Sequence, residues 1–266
     1  MTWSVAEVTV RFGDRAALVD VDLAIEPGQI HAVIGGDGAG KSTLLRVLAG
    51  LDLGQTGMIR LPAEDRIGYV PPEGGVFGDL TVHENMEFIA DAYRLSDWRP
   101  RGDALLERAA LGSFGDRLGR QLSGGQRRKL AGSLALLAQP DLLVLDEVTT
   151  GVDPVSRMEL WRLIAAAAAS GAAVVASTTY LDEAERATTV TLLHEGRRLA
   201  SGTPQSIVEG IPGAVYDRTA PDDRDRAWRR GARWRQWDPA ADPATGIEPT
   251  LEDAAIVHEL LAGAVA

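Results

Sequence analysis

Ile30-His31-Ala32-Val33-Ile34-Gly35-Gly36-Asp37-Gly38-Ala39-Gly40-Lys41-Ser42-Thr43-Leu44-Leu45 decides the fold. Its first five residues are a mostly apolar run of the kind that a parallel sheet buries on both faces. A glycine-rich turn follows. From Ser42 to Ala49 the residues Leu44, Leu45 and Leu48 fall on one helical face, with Gly50 as the stop. Strand, turn and helix in that order carry the phosphate-binding pattern G-x-x-x-x-G-K-[ST] over Gly35–Ser42. Glycines let backbone N–H groups converge on phosphate oxygens, and the helix start adds its positive end. Lys41 reaches the β and γ phosphates of a nucleotide, and the Ser42 hydroxyl supplies an oxygen to Mg2+. An ordinary glycine-rich turn is the bland alternative.

Working outward, Ser4–Val10 and Val19–Ile25 alternate with strand period about a turn at Gly13-Asp14, which predicts an antiparallel edge. Leu142–Leu145 and Ala173–Ala176 are short apolar strands separated by a helix over about 155–169, so the core is a parallel α/β sheet. Residues 80–94 and 104–138 read mainly as helices punctuated by Gly112, Gly115 and Gly119, a helical insert. After Gly202-Thr203-Pro204 the composition changes. Residues 221–246 are rich in Asp, Arg, Trp and Pro with weak periodicity, and they read as a small, loosely ordered appendage before a last helix over 251–261.

Leu142-Leu143-Val144-Leu145-Asp146-Glu147 is an apolar strand that ends in two carboxylates, the place where ligands bind in open α/β sheets. Asp146 is placed to hold hydrated Mg2+, and Glu147 to polarise a water that attacks the γ-phosphate. Surface acids closing a strand are the alternative, equally good when the segment is read alone. Upstream, Leu122-Ser123-Gly124-Gly125-Gln126 precedes Arg127-Arg128-Lys129 and an apolar helix. Ser123 is a helix N-cap, and the two glycines leave N–H groups bare at another anion-binding helix start. A mere cap and turn would look the same.

The three motifs in this order resemble those of the ATP-binding cassette (ABC) ATPases, and the resemblance covers about residues 3–210. It implies an α/β P-loop NTPase of ABC type, with a mostly parallel core sheet, an antiparallel β edge and a helical subdomain at about 73–138. Residues 1–210 would form the nucleotide-binding domain and 211–266 a small C-terminal appendage. By the same resemblance Phe12 stacks on adenine, the 35–43 loop holds ATP through Gly35, Gly36, Asp37, Gly38, Ala39, Gly40, Lys41, Ser42 and Thr43, and Ser42 and Asp146 hold Mg2+. Ser123, Gly124, Gly125 and Gln126 would act in trans on the ATP of an opposing cassette, and Asp153 would cross the dimer interface. Gly196–Pro204 is similar to the strand and turn that close such cassettes in exporters, and Pro249–Asp253 to the tail of drug-efflux type ATPases.

Two positions depart from the family pattern. The place of the glutamine that senses Mg2+ and water is Pro72, which has neither a side-chain ligand nor an N–H. The switch histidine is Thr179, whose shorter hydroxyl cannot become cationic. Val148 also replaces a usual proline. Glu147 and the signature are intact.

The function implied is the ATP-binding subunit of an exporter, hydrolysing ATP at the cytoplasmic face of the cell membrane. Its partners would be transmembrane permease subunits and a second, different cassette. The alternatives are a degenerate regulatory cassette and a soluble ABC ATPase acting on ribosomes or DNA. Against the last stands the absence of a second cassette or a long coiled-coil insert.

Composition sets limits on these readings. The 266 residues carry 27 Lys+Arg against 38 Asp+Glu, net −11, which argues against nucleic acid as the main partner. With 45% hydrophobic and 24% charged residues the chain can bury a core, and without cysteine it has no disulfide, thiolate nucleophile or Cys-ligated zinc. No signal peptide is expected from Met1-Thr2-Trp3-Ser4-Val5. The best apolar run, 163–177, is divided by Ser170-Gly171 and is shorter than the roughly 20 residues a spanning helix needs. His31, His83, His194 and His258 lack metal-ligand spacing and read as structural or surface residues. Six arginines interleave with Trp228, Trp234 and Trp237 in the appendage. That pattern suits stacking and phosphate binding, but nearby aspartates dilute it toward a solvated or subunit-packing face.

Overall fold

The structure, a computed structural model, describes residues 2–263. The chain runs β1 (Trp3–Phe12), β2 (Arg15–Ile25), β3 (Ile30–Ile34), α1 (Lys41–Leu48), β4 (Thr56–Arg60) and β5 (Ile67–Val70). Then come α2 (Val82–Ala92), α3 (Arg99–Arg108), α4 (Gly124–Leu136), β6 (Leu142–Asp146), α5 (Pro154–Ala169), β7 (Ala173–Ser177) and α6 (Leu181–Ala184). It ends with β8 (Thr189–His194), β9 (Arg197–Gly202), α7 (Pro204–Glu209), β10 (Ala214–Arg218), β11 (Ala227–Arg230), β12 (Arg233–Asp238) and α8 (Leu251–Gly263).

A six-stranded sheet of order β5-β6-β7-β3-β8-β9 forms the centre, parallel except for β9. Its central strands are apolar throughout because both faces are covered. Ile30, Ala32 and Ile34 join one core with Leu143, Leu145, Val174 and Ala176, while Val33 joins a second with Leu142, Val144, Ala173 and Val175. That second core is closed by α1 and by the antiparallel sheet β2-β1-β4. The sequence pairs β1 with β2 but leaves β4 unassigned, since all five of its residues are exposed and show no apolar period. The helical insert has its own apolar cluster around Val82, Met86, Leu106, Leu130 and Leu134. Its third helix starts only at Gly124, where Ser123 caps it. Residues 104–138 thus hold two helices joined by short turns at Gly112, Gly115 and Gly119, the glycines that punctuate the sequence there.

Residues 221–246 overturn the expectation of loose order, because they carry most of a three-stranded antiparallel sheet of order β10-β12-β11. Aromatic anchoring supplies the order that periodicity does not show. Trp237 is buried with Val215 and donates its indole N–H to the Pro212 carbonyl at 2.7 Å, and Trp228 donates to Asp253 of α8 at 3.1 Å. Asp253 also receives Thr250 and Arg230, so one buried carboxylate joins the sheet to α8. Arginines of this region pair with Asp217, Asp222, Asp223 and Asp253, which accounts for their balance with acids.

His31 in β3 is buried and bonded through its two ring nitrogens to the Thr189 and Thr191 hydroxyls at 2.7 and 2.9 Å. Burial lowers its pKa from 6.5 to about 4. The unfolded chain therefore takes up this proton near pH 6.5 and the folded chain only near pH 4. Stability from this group is full above about pH 6.5 and is lost as pH falls toward 4, by about 3 kcal/mol. In urea unfolding, the stability margin of wild type over His31→Gln should shrink by that amount between pH 7 and 4. A margin independent of pH would show that His31 does not titrate this way.

Candidate nucleotide site

The phosphate loop lies between β3 and α1 and is braced from two sides. Gly196 donates to the Ala39 carbonyl at 3.0 Å and accepts from Val19 N–H at 2.8 Å, so β2 and the β8–β9 turn clamp the loop. Gly40 has φ +103°, and a Cβ there would lie 2.6 Å from the Ala17 carbonyl, so only glycine fits. Lys41 is 4% exposed. Its ammonium donates to the Gly35 and Gly36 carbonyls at 2.9 and 3.0 Å and lies 3.6 Å from Glu147 Oε1. Ser42 and Thr43 open the helix beside it. Phe12 ends β1 with an exposed ring opposite Arg15, whose guanidinium lies 3.7 Å from the Cβ position of Gly38.

Sheet order puts the acidic strand end two strands from this loop, with β7 between. Asp146 pairs with Ser177 across β6 and β7. The Ser177 hydroxyl donates to Asp146 Oδ1 at 2.6 Å and accepts from Glu147 N–H at 3.0 Å. Asp146 is 0% exposed, and its other oxygen is buried without a hydrogen-bond partner. A carboxylate oxygen left bare in this way fits a hard cation, and with Ser42 it offers the oxygen donors that Mg2+ takes alongside water and phosphate. No group of three or more His, Cys, Asp or Glu among the described residues is placed to hold a metal ion. Glu147 has φ +49°, a strained backbone for a side-chain-bearing residue. Its carboxylate faces Lys41.

The two departures lie on the same rim. Pro72 follows β5 inside a turn closed by Gly74 N–H to the Pro71 carbonyl at 2.8 Å, and Glu73 beside it is exposed. Arg128 of α4 packs against Gly74 with one guanidinium nitrogen buried and unpartnered. Burial pulls its pKa down, against the carboxylates of Glu73, Glu147 and Asp146, which favour its charge. Thr179 is exposed after β7, whereas its neighbours Ser177 and Thr178 are buried and bonded.

The signature residues sit with Asp153 instead. Ser123 Oγ accepts from Gln126 N–H at 3.2 Å, and Ser123 N–H donates to Gln126 Oε1 at 2.9 Å, a reciprocal cap on α4. A Cβ on Gly125 would lie 2.5 Å from Ser156 Oγ and 3.1 Å from Asp153 Oδ2, so the starts of α4 and α5 touch, while Gly124 faces open space. Hydrogen bonds from Ser156 first, and from Val155, hold the Asp153 carboxyl below its ordinary pKa. Arg15, Ser177 and Arg128 were not singled out from the sequence. Ser177 is marked in the sequence as the polar residue closing the apolar run 173–177 and as the first residue of the stretch around Thr179 that resembles the family's switch.

A family model described as ABC transporter matches residues 18–150. The chain belongs to this family. It is 38% identical over 225 residues to the probable multidrug ABC transporter ATP-binding protein YbhF of Escherichia coli (strain K12). That match covers 80% of this chain and 39% of YbhF, so the chain spans well under half of that relative. Daunorubicin resistance ATP-binding protein DrrA3 of Streptomyces coeruleorubidus is 36% identical over 210 residues, covering 74% of this chain and 66% of DrrA3. Nod factor export ATP-binding protein I of Cupriavidus metallidurans is 35% identical over 211 residues, with 74% and 70% covered.

Among solved structures, an ATP-binding subunit of an ABC transporter superposes with a TM-score of 0.72 at 28% identity, covering 79% of this chain and 92% of its own. The cassette MJ0796, solved as a dimer in a post-hydrolysis state with ADP and Pi, gives 0.67 at 26% identity, covering 76% and 98%.

Replacing Lys41 by Ala removes the buried cation of the phosphate loop. Loss of one charge-assisted contact costs on the order of 1.5–3 kcal/mol, so affinity for a fluorescent ATP analogue should fall about tenfold to a hundredfold. Equal affinity of wild type and variant in a titration would remove Lys41 from the site.

Proposed function

We propose that this cassette binds Mg-ATP and drives export through permease subunits on separate chains, as one half of an asymmetric pair with a different cassette. The convergence of Lys41, Asp146 and Glu147, with Ser177 between the two strand ends, carries the reading. In it, Phe12 stacks on the base and residues 35–43 cradle the phosphates. Ser42 and Asp146 hold Mg2+, which neutralises phosphate charge, and Glu147 polarises the attacking water. Residues 1–210 are the nucleotide-binding unit and 211–266 its appendage.

Pro72 and Thr179 contribute no ligand comparable to a glutamine or histidine, so this chain's own site turns over slowly. Ser123–Gln126 serve the ATP of the opposing cassette, and Asp153 meets it at the interface. The open space before Gly124 supports a role toward a partner. In such a pair Glu147→Gln should barely change steady-state ATPase of the assembled complex. Ser123→Arg should remove most of it, a loss of a hundredfold or so, by blocking the partner's site. Near-complete loss from Glu147→Gln, or a native complex with two copies of this chain and no other cassette, would overturn the asymmetric reading.

No helix among the described residues is long and apolar enough to cross a membrane. Placement at the cytoplasmic membrane face is therefore assigned to a partner. An exposed aromatic pair on the helical insert, Phe77 and Phe88 with ring centroids 4.6 Å apart, supports docking there. Coexpression with the permease should move the chain to the membrane fraction, and Phe77→Ser with Phe88→Ser should return it to the soluble fraction. Membrane binding without any permease would contradict this placement.

A further inference from the structure

Glu183 stands in α6, shortly after Thr179, and is 1% exposed. Its Oε2 accepts from the Thr149 hydroxyl and from the Thr178 hydroxyl, each at 2.7 Å. Oε1 is buried without a hydrogen bond, and Arg157 Nε of α5 is its nearest cation at 3.8 Å. Arg157 also faces Asp182 at 3.7 Å and lies over the Tyr180 ring, 5.2 Å from its centroid. Thr178 Oγ1 in turn accepts from Tyr180 N–H at 3.0 Å.

A buried carboxylate is costly, and an apolar residue of similar volume would fill this space at less cost. Its partners explain its presence. Thr149 belongs to the segment that begins at Glu147 and ends at Asp153, whose carboxylate caps α5 beside Gly125 of the signature helix. Thr178 belongs to the segment between Ser177, which holds Asp146 and Glu147, and exposed Thr179. One oxygen atom therefore ties the segment at the nucleotide's rim to the segment leading to the interface.

We infer that Glu183 is a positioning residue that makes residues 149–153 follow the state of residues 177–180, so that nucleotide binding in this chain is felt at Asp153. The inference rests on the nucleotide site described above and deepens it. Ser177 already joins the two segments where they start, at Asp146 and Glu147, and the shared acceptor adds a second tie farther along, between Thr149 and Thr178.

Hydrogen–deuterium exchange of the full chain with and without Mg-ATP tests the idea, with a fluorescent ATP analogue reporting affinity. In wild type, Mg-ATP should slow exchange in both 149–153 and 177–180. Thr149→Val keeps the side-chain shape but deletes the donor to Glu183. It should bind nucleotide within about twofold of wild type and still protect 177–180, yet lose most of the protection of 149–153, at least tenfold in exchange rate. Thr149→Ser, which keeps the hydroxyl, should restore it. Thr178→Val should uncouple the segments in the same way, and it serves should Thr149→Val fail to fold. Full protection of 149–153 in a variant that binds nucleotide would overturn the coupling alone. Absence of nucleotide binding by wild type would overturn the site and the coupling with it.

Discussion

Asp146 and Ser177 lie opposite each other in parallel β6 and β7, and the hydroxyl between them bonds the Asp146 carboxylate on one side and the Glu147 backbone on the other. The rest of the site depends on this register. Because side chains alternate along a strand, a slip of one residue would send Asp146 to the opposite face and withdraw the Glu147 N–H from its acceptor. The register is held by Leu143, Leu145, Val174 and Ala176 on one face and Leu142, Val144, Ala173 and Val175 on the other. Apolar burial on both sides thus sets the position of a polar contact that lies at the end of both strands.

From that contact the polar groups extend in two directions. Toward the glycine-rich loop, Lys41 bridges the Gly35 and Gly36 carbonyls and Glu147, so one cation ties the loop to the acidic strand end. Toward the helical insert, Arg128 carries a buried, unpartnered nitrogen beside the Pro71–Gly74 turn. Burial pulls its pKa down, against the carboxylates of Glu73, Glu147 and Asp146, which favour its charge. A proline turn fixes backbone direction there, whereas a glutamine would have supplied a reaching side chain.

The C-terminal segment is organised by a different principle. Its β10-β12-β11 sheet shows little apolar alternation, yet two tryptophans place large apolar rings inward and spend their N–H groups on the Pro212 carbonyl and Asp253. Arginines then pair with aspartates along the exposed strands, which keeps the segment nearly balanced in charge.

The sequence by itself determined the parallel α/β core, the phosphate loop, the acidic strand end and the capped signature helix. Each of these is a local pattern: a short apolar run, a glycine spacing, a cap residue with its partner three positions on. Their physics is carried by residues adjacent in the chain, so it is legible before folding. Tertiary structure alone decided the contacts that join them. Ser177 meets Asp146 across 31 residues and Glu183 meets Thr149 across 34, distances over which composition and period carry no information. Edge strand β4 and the aromatic sheet were equally illegible, because exposed or charge-balanced strands lack the apolar alternation that marks a strand. Only the packed molecule, where burial forces each polar group to find a partner, shows which hydroxyl serves which carboxylate.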